Sequence, residues 1–592
     1  MRFRITDGNG RDLSASASVT PTCSADGAAY YRVKIAERRE RVRIEWTRRM
    51  LDHVSFWHPM CGRERRLPQF FCAQKTESCF FRGAPVIATV RADGSVCQTV
   101  ALAEASAAVC LGYYVDDFSE QDTVVFFAEL IRPEAGFETE LRVGEKSEPL
   151  PDALGGIWRW WGETAKRAAP LPESAFEPLY STWYSFHQDP EQAALTRELR
   201  LAAELGFKTV ILDDGWQFEG AGTKDYRKSG DWIPAPDKFP DFGRFVRDVH
   251  SFGQKLILWF AVPFAGFDTE AFRRYKDRLL FTEAGFFNAG TLDIRYPEVR
   301  SYLVGTWLRF IDTCGIDGLK LDFIDHYADA REIPPFAGGM DARTLTQAAR
   351  LLLEELCEKA VRLKPGFLME FRQYYVGPQI LRFGNMLRVG DCAFDAVTNR
   401  IGVADLRMLT REIAVHSDML LFSPDETPEN CALQLLNVLF AVPQISVRLC
   451  RAGEAQLRLL KAYLAYWTRS RDVLLFGRFG ARHPEACYSA LWAADDEKDA
   501  RITVLYAESA VRLAYGREDV WNATGEETVV LLNDAGAALE FTVYDCFGEP
   551  VRRLVSSAAA VPLQTPRGGR VSVAAEKRAA PRDASAIKGG KT

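Results

Sequence analysis

Through residues 1–175, apolar and polar positions alternate in short runs such as Tyr31-Arg-Val-Lys-Ile-Ala and Val124-Val-Phe-Phe-Ala-Glu-Leu, broken by Gly, Asp and Pro. Side chains repeat every second residue along a strand, so these runs predict half-buried strands and, together, a β-sandwich. From residue 176 the pattern changes. Apolar runs now alternate with amphipathic stretches, as where Glu191-Gln-Ala-Ala-Leu-Thr-Arg-Glu-Leu-Arg-Leu-Ala-Ala-Glu-Leu ends at Gly206 and leads into Thr209-Val-Ile-Leu. A glycine after the last turn of a helix followed by a compact apolar run is the signature of a β-α unit.

Repeating that reading predicts strands at Leu179 to Tyr184, Thr209 to Leu212, Lys255 to Ala261, Gly318 to Leu321, Phe367 to Phe371, Asn385 to Val389, Met419 to Phe422 and Gln444 to Val447. Eight such units close a (β/α)8 TIM barrel, placed here over residues 176–475. An open doubly wound sheet is the alternative, disfavoured because no Gly-rich phosphate loop follows any of the strands. Alternation returns in residues 476–578, predicting a small C-terminal β-sandwich. Residues 579–592, small and charged with glycines, read as a disordered tail.

The chain of 592 residues exceeds what one core supports, in keeping with several domains. Its net charge of -6 is spread among scattered acids and bases, which leaves no basic stripe for nucleic acid. No apolar run has the length a membrane span needs, and the opening residues lack the apolar core of a signal peptide, so a cytoplasmic location is expected. The 13 cysteines include no C-x-x-C pair, and even the nearest two, Cys72 and Cys79, are expected to be reduced, partly buried thiols.

In a (β/α)8 barrel the chemistry sits at the carboxyl ends of the strands, so polar residues that abruptly end an apolar run are the candidates. Val210-Ile-Leu runs into Asp213, Asp214, Gly215 and Trp216. Two carboxylates beside an indole suit a sugar, whose hydroxyls donate to the acids while its C–H face covers the ring; a solvated Asp-Asp-Gly turn is the plainer reading. Gly318-Leu-Lys320-Leu-Asp322 puts a cation and a carboxylate on one face of a strand, either as a structural ion pair or as an ionised nucleophile held by a cation. Arg388-Val-Gly390-Asp391 ends a third strand in a carboxylate. A pair of carboxylates, one to attack and one to move the proton, is the minimum for glycosidic chemistry; Asp391 is the candidate for the proton and Asp395 its rival. Glu370 and Arg372 share a face of a fourth strand, as substrate contacts or as a supporting ion pair. Trp259, on the third strand, is a core aromatic or a stacking surface. The candidate set contains no His or Cys cluster, so neither a metal nor an organic cofactor is expected, and Asp325-His326 reads as loop.

Taken in order, Asp213-Asp214-Gly215-Trp216, Asp231-Trp232 with Phe239-Pro240, Leu292-Asp293 with Tyr296-Pro297-Glu298-Val299-Arg300, Gly318-Leu319-Lys320-Leu321-Asp322, and Arg388 with Asp391 resemble glycoside hydrolase family 36, the α-galactosidase or melibiase family. The resemblance spans residues 175 to 450. It implies a retaining α-glycosidase, most directly an α-galactosidase, with Asp322 as nucleophile and Asp391 as acid/base. Asp213 and Asp214 would bind the galactose 4- and 6-hydroxyls and Lys320 another ring hydroxyl. Flanking β-domains agree with the patterning above. The chain departs from the family at Leu321, where Trp is usual, at Gly390, where Ser is usual, and over Glu370 to Gln379, where a Cys-Ser-Gly-rich-Arg segment is usual; these positions bear on which sugar is taken. The N-terminal domain is also shorter than the family's, which bears on assembly and leaves a homo-oligomer open. A galactosyl transferase of the raffinose-synthase kind and a non-catalytic carbohydrate-binding barrel are the alternatives.

Overall fold

The computed structural model describes residues 1–67, 72–116 and 123–574. The tail expected at 579–592 lies outside the described residues. The chain opens with two antiparallel sheets. One of five strands has Arg41–Arg49, Thr123–Ile131 and Ala108–Asp116 at its centre, and the other, of six strands, includes Ala28–Ile35, Phe137–Gly144 and Val96–Leu102. Their inner faces bury Val33, Val42, Trp46, Leu111, Phe126 and Leu141 in one core, as strict alternation demands. Helix Leu150–Thr164 then leads to the barrel.

Eight parallel strands form the barrel: β1 (Leu179–Ser181), β2 (Thr209–Leu212), β3 (Lys255–Ala261), β4 (Gly318–Asp322), β5 (Leu368–Arg372), β6 (Met386–Arg388), β7 (Ala414–His416) and β8 (Gln444–Ile445). β8 pairs with β1, and the bridge His416↔Val442 closes the ring between β7 and β8. Around it run α1 (Gln192–Leu205), α2 (Phe242–Ser251), α3 (Pro297–Arg309), α4 (Leu345–Leu363), the single turn α5 (Pro378–Leu381), α6 (Ala396–Leu409), α7 (Pro428–Asn437) and α8 (Glu454–Arg471). The expected TIM barrel is therefore the observed fold. α1 ends, as its sequence predicts, at Gly206 in the left-handed region.

Three local expectations change. The first strand stops at Ser181, and Trp183–Phe186 coils into a helical turn. The seventh strand is Ala414–His416 rather than Met419 to Phe422; the later segment only touches the barrel through the bridge Leu420↔Ile445. Hydrophobicity favoured the wrong run because the true strand leads into Ser417 and Asp418, whose burial is compensated by tertiary partners that a local pattern does not reveal. A three-stranded antiparallel sheet (Phe264–Gly266, Leu279–Glu283, Ala289–Leu292), unforeseen in the sequence, is inserted between β3 and α3. Beyond α8 a seven-stranded and a three-stranded sheet, running from Arg478 to Ala574, complete the described chain. The cysteines are free, with Cys79 half-buried and Cys72, contrary to expectation, exposed. No helix among the described residues is long and apolar enough to cross a membrane.

Candidate active site

β4 delivers Asp322 to the carboxyl end of the barrel. The next residue, Phe323, takes φ 61°, a left-handed conformation unusual for a bulky side chain, and its N–H turns back to Asp322 Oδ1 at 2.8 Å. Trp259 Nε1 on the neighbouring β3 donates to Oδ2 at 3.0 Å, and Arg372 Nε at the end of β5 lies 3.0 Å from Oδ1. Asp322 is only 7% exposed. Burial pushes its carboxyl up, but Arg372, Lys320, the Trp259 indole and Arg388 together outweigh burial and hold it down at about 2. Asp322 is thus an ionised, oriented carboxylate at neutral pH.

Lys320, two residues earlier on the same face, pairs with Asp213 Oδ2 at 2.6 Å across the barrel, both side chains buried. Burial alone would push the ammonium down; Asp213 more than offsets it and keeps Lys320 charged. Asp213 takes a further bond on its backbone N–H, which donates to Thr182 Oγ1 at 2.9 Å. Asp214 accepts from Gln188 Nε2 at 2.6 Å and Gln217 Nε2 at 2.7 Å. No cation among the described residues is bonded to it, so burial dominates and its carboxyl is raised to about 6. The turn that follows needs glycine: Gly215 has φ 108°, and a Cβ there would lie 2.4 Å from the Gln188 carbonyl oxygen.

Arg388, at the end of β6, is fully buried among acids. Its Nη1 donates to Asp418 Oδ1 at 2.6 Å and to Asp391 Oδ1 at 2.8 Å, and its Nε lies 3.7 Å from Glu370 Oε1. Asp391 differs from its neighbours in being open, with 54% of its side chain exposed. Burial pushes its carboxyl up, but Arg388 more than offsets this and holds it below the usual carboxylate range, while the negative charge of Asp322 works the other way. Glu370 is buried, accepts from Gln444 Nε2 at 2.5 Å, and is raised by burial.

The structure brings Asp213, Asp214, Lys320, Asp322, Glu370, Arg372, Arg388 and Asp391 together at one end of the barrel, and it alters two aromatic expectations. Trp216 is fully buried. Its ring packs on Trp232, Phe242, Phe260 and Phe310 and its Nε1 donates to the Trp259 carbonyl at 3.1 Å, so it has no face to offer a sugar and is a core residue. Trp259 contributes its indole N–H to Asp322 rather than an open stacking face. Asp395 caps α6, accepting from Thr398 N at 2.9 Å, and pairs with Arg63 at 2.8 Å. Two carboxylates escaped the sequence reading. Asp418, bound to Arg388 and accepting from Tyr184 OH at 3.0 Å, was hidden by the misplaced seventh strand. Asp325, read as loop, accepts from Arg372 Nη2 at 2.8 Å; its signal was its position one turn beyond Asp322. Among the described residues no group of three or more His, Cys, Asp or Glu side chains is placed to hold a metal ion.

The chain is thus a closed parallel (β/α)8 barrel whose strand ends gather carboxylates around lysine and arginine, at the end where such barrels carry their sites. Residues 173–352, about a third of the chain, match the family model described as Melibiase, so the chain is similar to the melibiases over this part. It is 28% identical to a probable α-galactosidase C of Aspergillus flavus over 194 residues, 29% of this chain and 25% of that one. It is 26% identical to α-galactosidase AgaA of Geobacillus stearothermophilus over 221 residues, 35% of this chain and 29% of that one. The matched region thus spans little more than a quarter of these relatives' length. In fold the likeness is far more extensive: a variant of AgaA in complex with raffinose superposes with a TM-score of 0.61 at 15% identity, covering 96% of this chain and 89% of that one. The Thermus thermophilus α-galactosidase in complex with stachyose gives 0.53 at 17% identity over 76% of this chain and 99% of that one.

Proposed function

We propose that this protein hydrolyses α-galactosidic bonds with retention of anomeric configuration. The observation that carries the reading is Asp322, ionised and held by two hydrogen-bond donors and the Arg372 cation at the carboxyl end of β4, with the open Asp391 at the end of the β6 segment. In the first step an Asp322 oxygen bonds to the anomeric carbon as the bond to the leaving oxygen breaks, and Asp391 gives that oxygen its proton. In the second, water attacks the anomeric carbon, the ester to Asp322 breaks, and Asp391 takes the proton of the water. Electrostatic coupling between the two carboxylates favours this order. While Asp322 is negative it raises the proton affinity of Asp391, and a sugar filling the mouth strips water from both; as the ester forms, that negative charge is lost and the proton affinity of Asp391 falls, so Asp391 gives its proton to the leaving oxygen and is left as the carboxylate that takes the proton of the water. Lys320, Asp213 and Asp214 are the glycone hydroxyl partners. Raffinose and stachyose, bound by the structural neighbours, supply the substrate class: α-galactosyl oligosaccharides.

The test uses an aryl α-galactoside with the wild type, Asp322→Gly and added azide. The proposal expects loss of turnover in the variant and rescue as the β-galactosyl azide. Near wild-type turnover by Asp322→Gly would remove the nucleophile assignment, and no activity of the wild type on any α-galactoside would remove the substrate. Accumulation of longer oligosaccharides with little free galactose would reassign the second step to transfer.

A further inference from the structure

Where the C-terminal sheets meet α7 and α8, a cavity of about 160 Å3 lies at the seam. Much of its wall is apolar, including Leu435 of α7, Leu459 and Ala462 of α8, and Phe547. Arg570, first residue of the strand Arg570–Ala574, also lines it. This side chain is out of keeping with its surroundings. Arg570 is 7% exposed, forms no ion pair among the described residues, and holds its Nε and Nη1 buried without a hydrogen-bond partner. The hydroxyl of Tyr463, on the cavity wall, is also buried and unpartnered.

Three aromatic rings surround the guanidinium, with centroids 3.7 Å away for Tyr544, 5.2 Å for Tyr466 and 5.4 Å for Trp521. Their faces offset part of the cost of burying its charge. They leave its N–H groups, which lie in the guanidinium plane and want oxygen acceptors, unsatisfied. The seam is tightly built: a Cβ at Gly568, φ 74°, would come within 2.7 Å of Ala432 Cβ, so the turn before Arg570 sits hard against α7. The cavity thus combines a caged cation, an unpaired hydroxyl and apolar walls, and it is smaller than a site for a drug-sized ligand or an oligosaccharide. That combination suits a carboxylate carrying a short hydrocarbon group.

We propose that this cavity binds a small organic carboxylate, its charge on Arg570 and Tyr463 and its hydrocarbon part against α7 and α8. The bound anion braces the C-terminal sheets on the barrel. It lies apart from the residues that carry the proposed glycosidase chemistry, so its test does not depend on turnover.

The full chain is titrated with butyrate by calorimetry and by thermal unfolding, with phosphate and butanol as controls. Saturable butyrate binding with a raised Tm is expected, with no effect of butanol. Arg570→Met should lower the affinity about tenfold or more, because a charge-assisted hydrogen bond is lost. It should still fold, since an apolar side chain replaces an unpaired buried charge. Ala462→Phe, which fills the cavity from α8 and leaves Arg570 in place, should abolish binding, and it decides the matter if Arg570→Met fails to fold. Absence of saturable butyrate binding, an equal gain in Tm for wild type and Arg570→Met, or phosphate binding as tightly as butyrate would each overturn the proposal.

Discussion

Arg372 spans two carboxylates: its Nε lies 3.0 Å from Asp322 Oδ1 and its Nη2 2.8 Å from Asp325 Oδ1. One guanidinium therefore ties the strand end to the turn that follows and supplies the leading attraction that holds the Asp322 carboxyl near 2. Removing that cation raises the pKa of Asp322. On the proposed mechanism the acid limb of kcat/KM in Arg372→Ala moves upward by about one unit or more, the usual effect of an opposite charge at contact distance. Arg372→Lys, which keeps the charge but loses the fork, moves it less. The pH dependence of kcat/KM for the three proteins measures this, and coincident acid limbs would show that Arg372 does not control the nucleophile.

Asp391 and Asp395 are four residues apart and have different work. Asp391→Ala is expected to lose about 100- to 10,000-fold in kcat, the range for a general acid–base group, with the smallest loss on aryl substrates whose leaving group needs no proton. Asp395→Ala removes the α6 cap and the Arg63 ion pair. It should cost about 1 kcal/mol of stability while leaving kcat near that of the wild type. Comparing natural and activated substrates, with denaturant unfolding of both variants, separates the two roles; a large kcat loss in Asp395→Ala would reverse the assignment.

Trp216 follows the Asp-Asp-Gly turn but belongs to the core, stacked on Trp232 at 6.1 Å with its indole N–H on the Trp259 carbonyl. Trp216→Phe should lower stability by about 1 to 3 kcal/mol and change KM little, because the indole meets neighbouring side chains rather than substrate. Trp216→Ala should cost about 3 to 5 kcal/mol. Chemical unfolding alongside KM provides the check, and a rise in KM without loss of stability would restore the platform reading.

The sequence was most legible where local pattern and tertiary role coincide. Thr209–Leu212 and Lys255–Ala261 are strands with the very limits that their apolar runs predict, since a buried parallel strand needs continuous apolar residues. Lys320 and Asp322 stood out because charged residues on such a strand need partners, and each has one. The pattern failed where partners come from afar. Ala414–His416 is followed by Ser417 and Asp418, polar and buried because Ser417 Oγ accepts from Gln444 N at 3.0 Å and Asp418 pairs with Arg388. Trp216 failed in the opposite sense, as an aromatic beside the site that the folded chain turns inward.

Asp214 carries a pH signature of its own. Its carboxyl is raised to about 6 by burial, above its value of about 3.9 in an unfolded chain. Between those two values the unfolded chain gives up this proton while the folded chain keeps it, so stability falls as pH rises through that window and levels off once pH exceeds 6. A shift of this size corresponds to something on the order of 3 kcal/mol, with the full penalty present at neutral pH. Asp214→Asn has no charge to bury and escapes that dependence, although its amide can accept from only one of Gln188 and Gln217, which lowers its stability by a pH-independent amount. The difference in unfolding free energy, wild type minus Asp214→Asn, should therefore decline from pH 4 to pH 6 and stay flat above it. Parallel curves across that window would mean that Asp214 is ionised in the folded protein throughout, and that the two amides alone suffice to hold a buried negative charge.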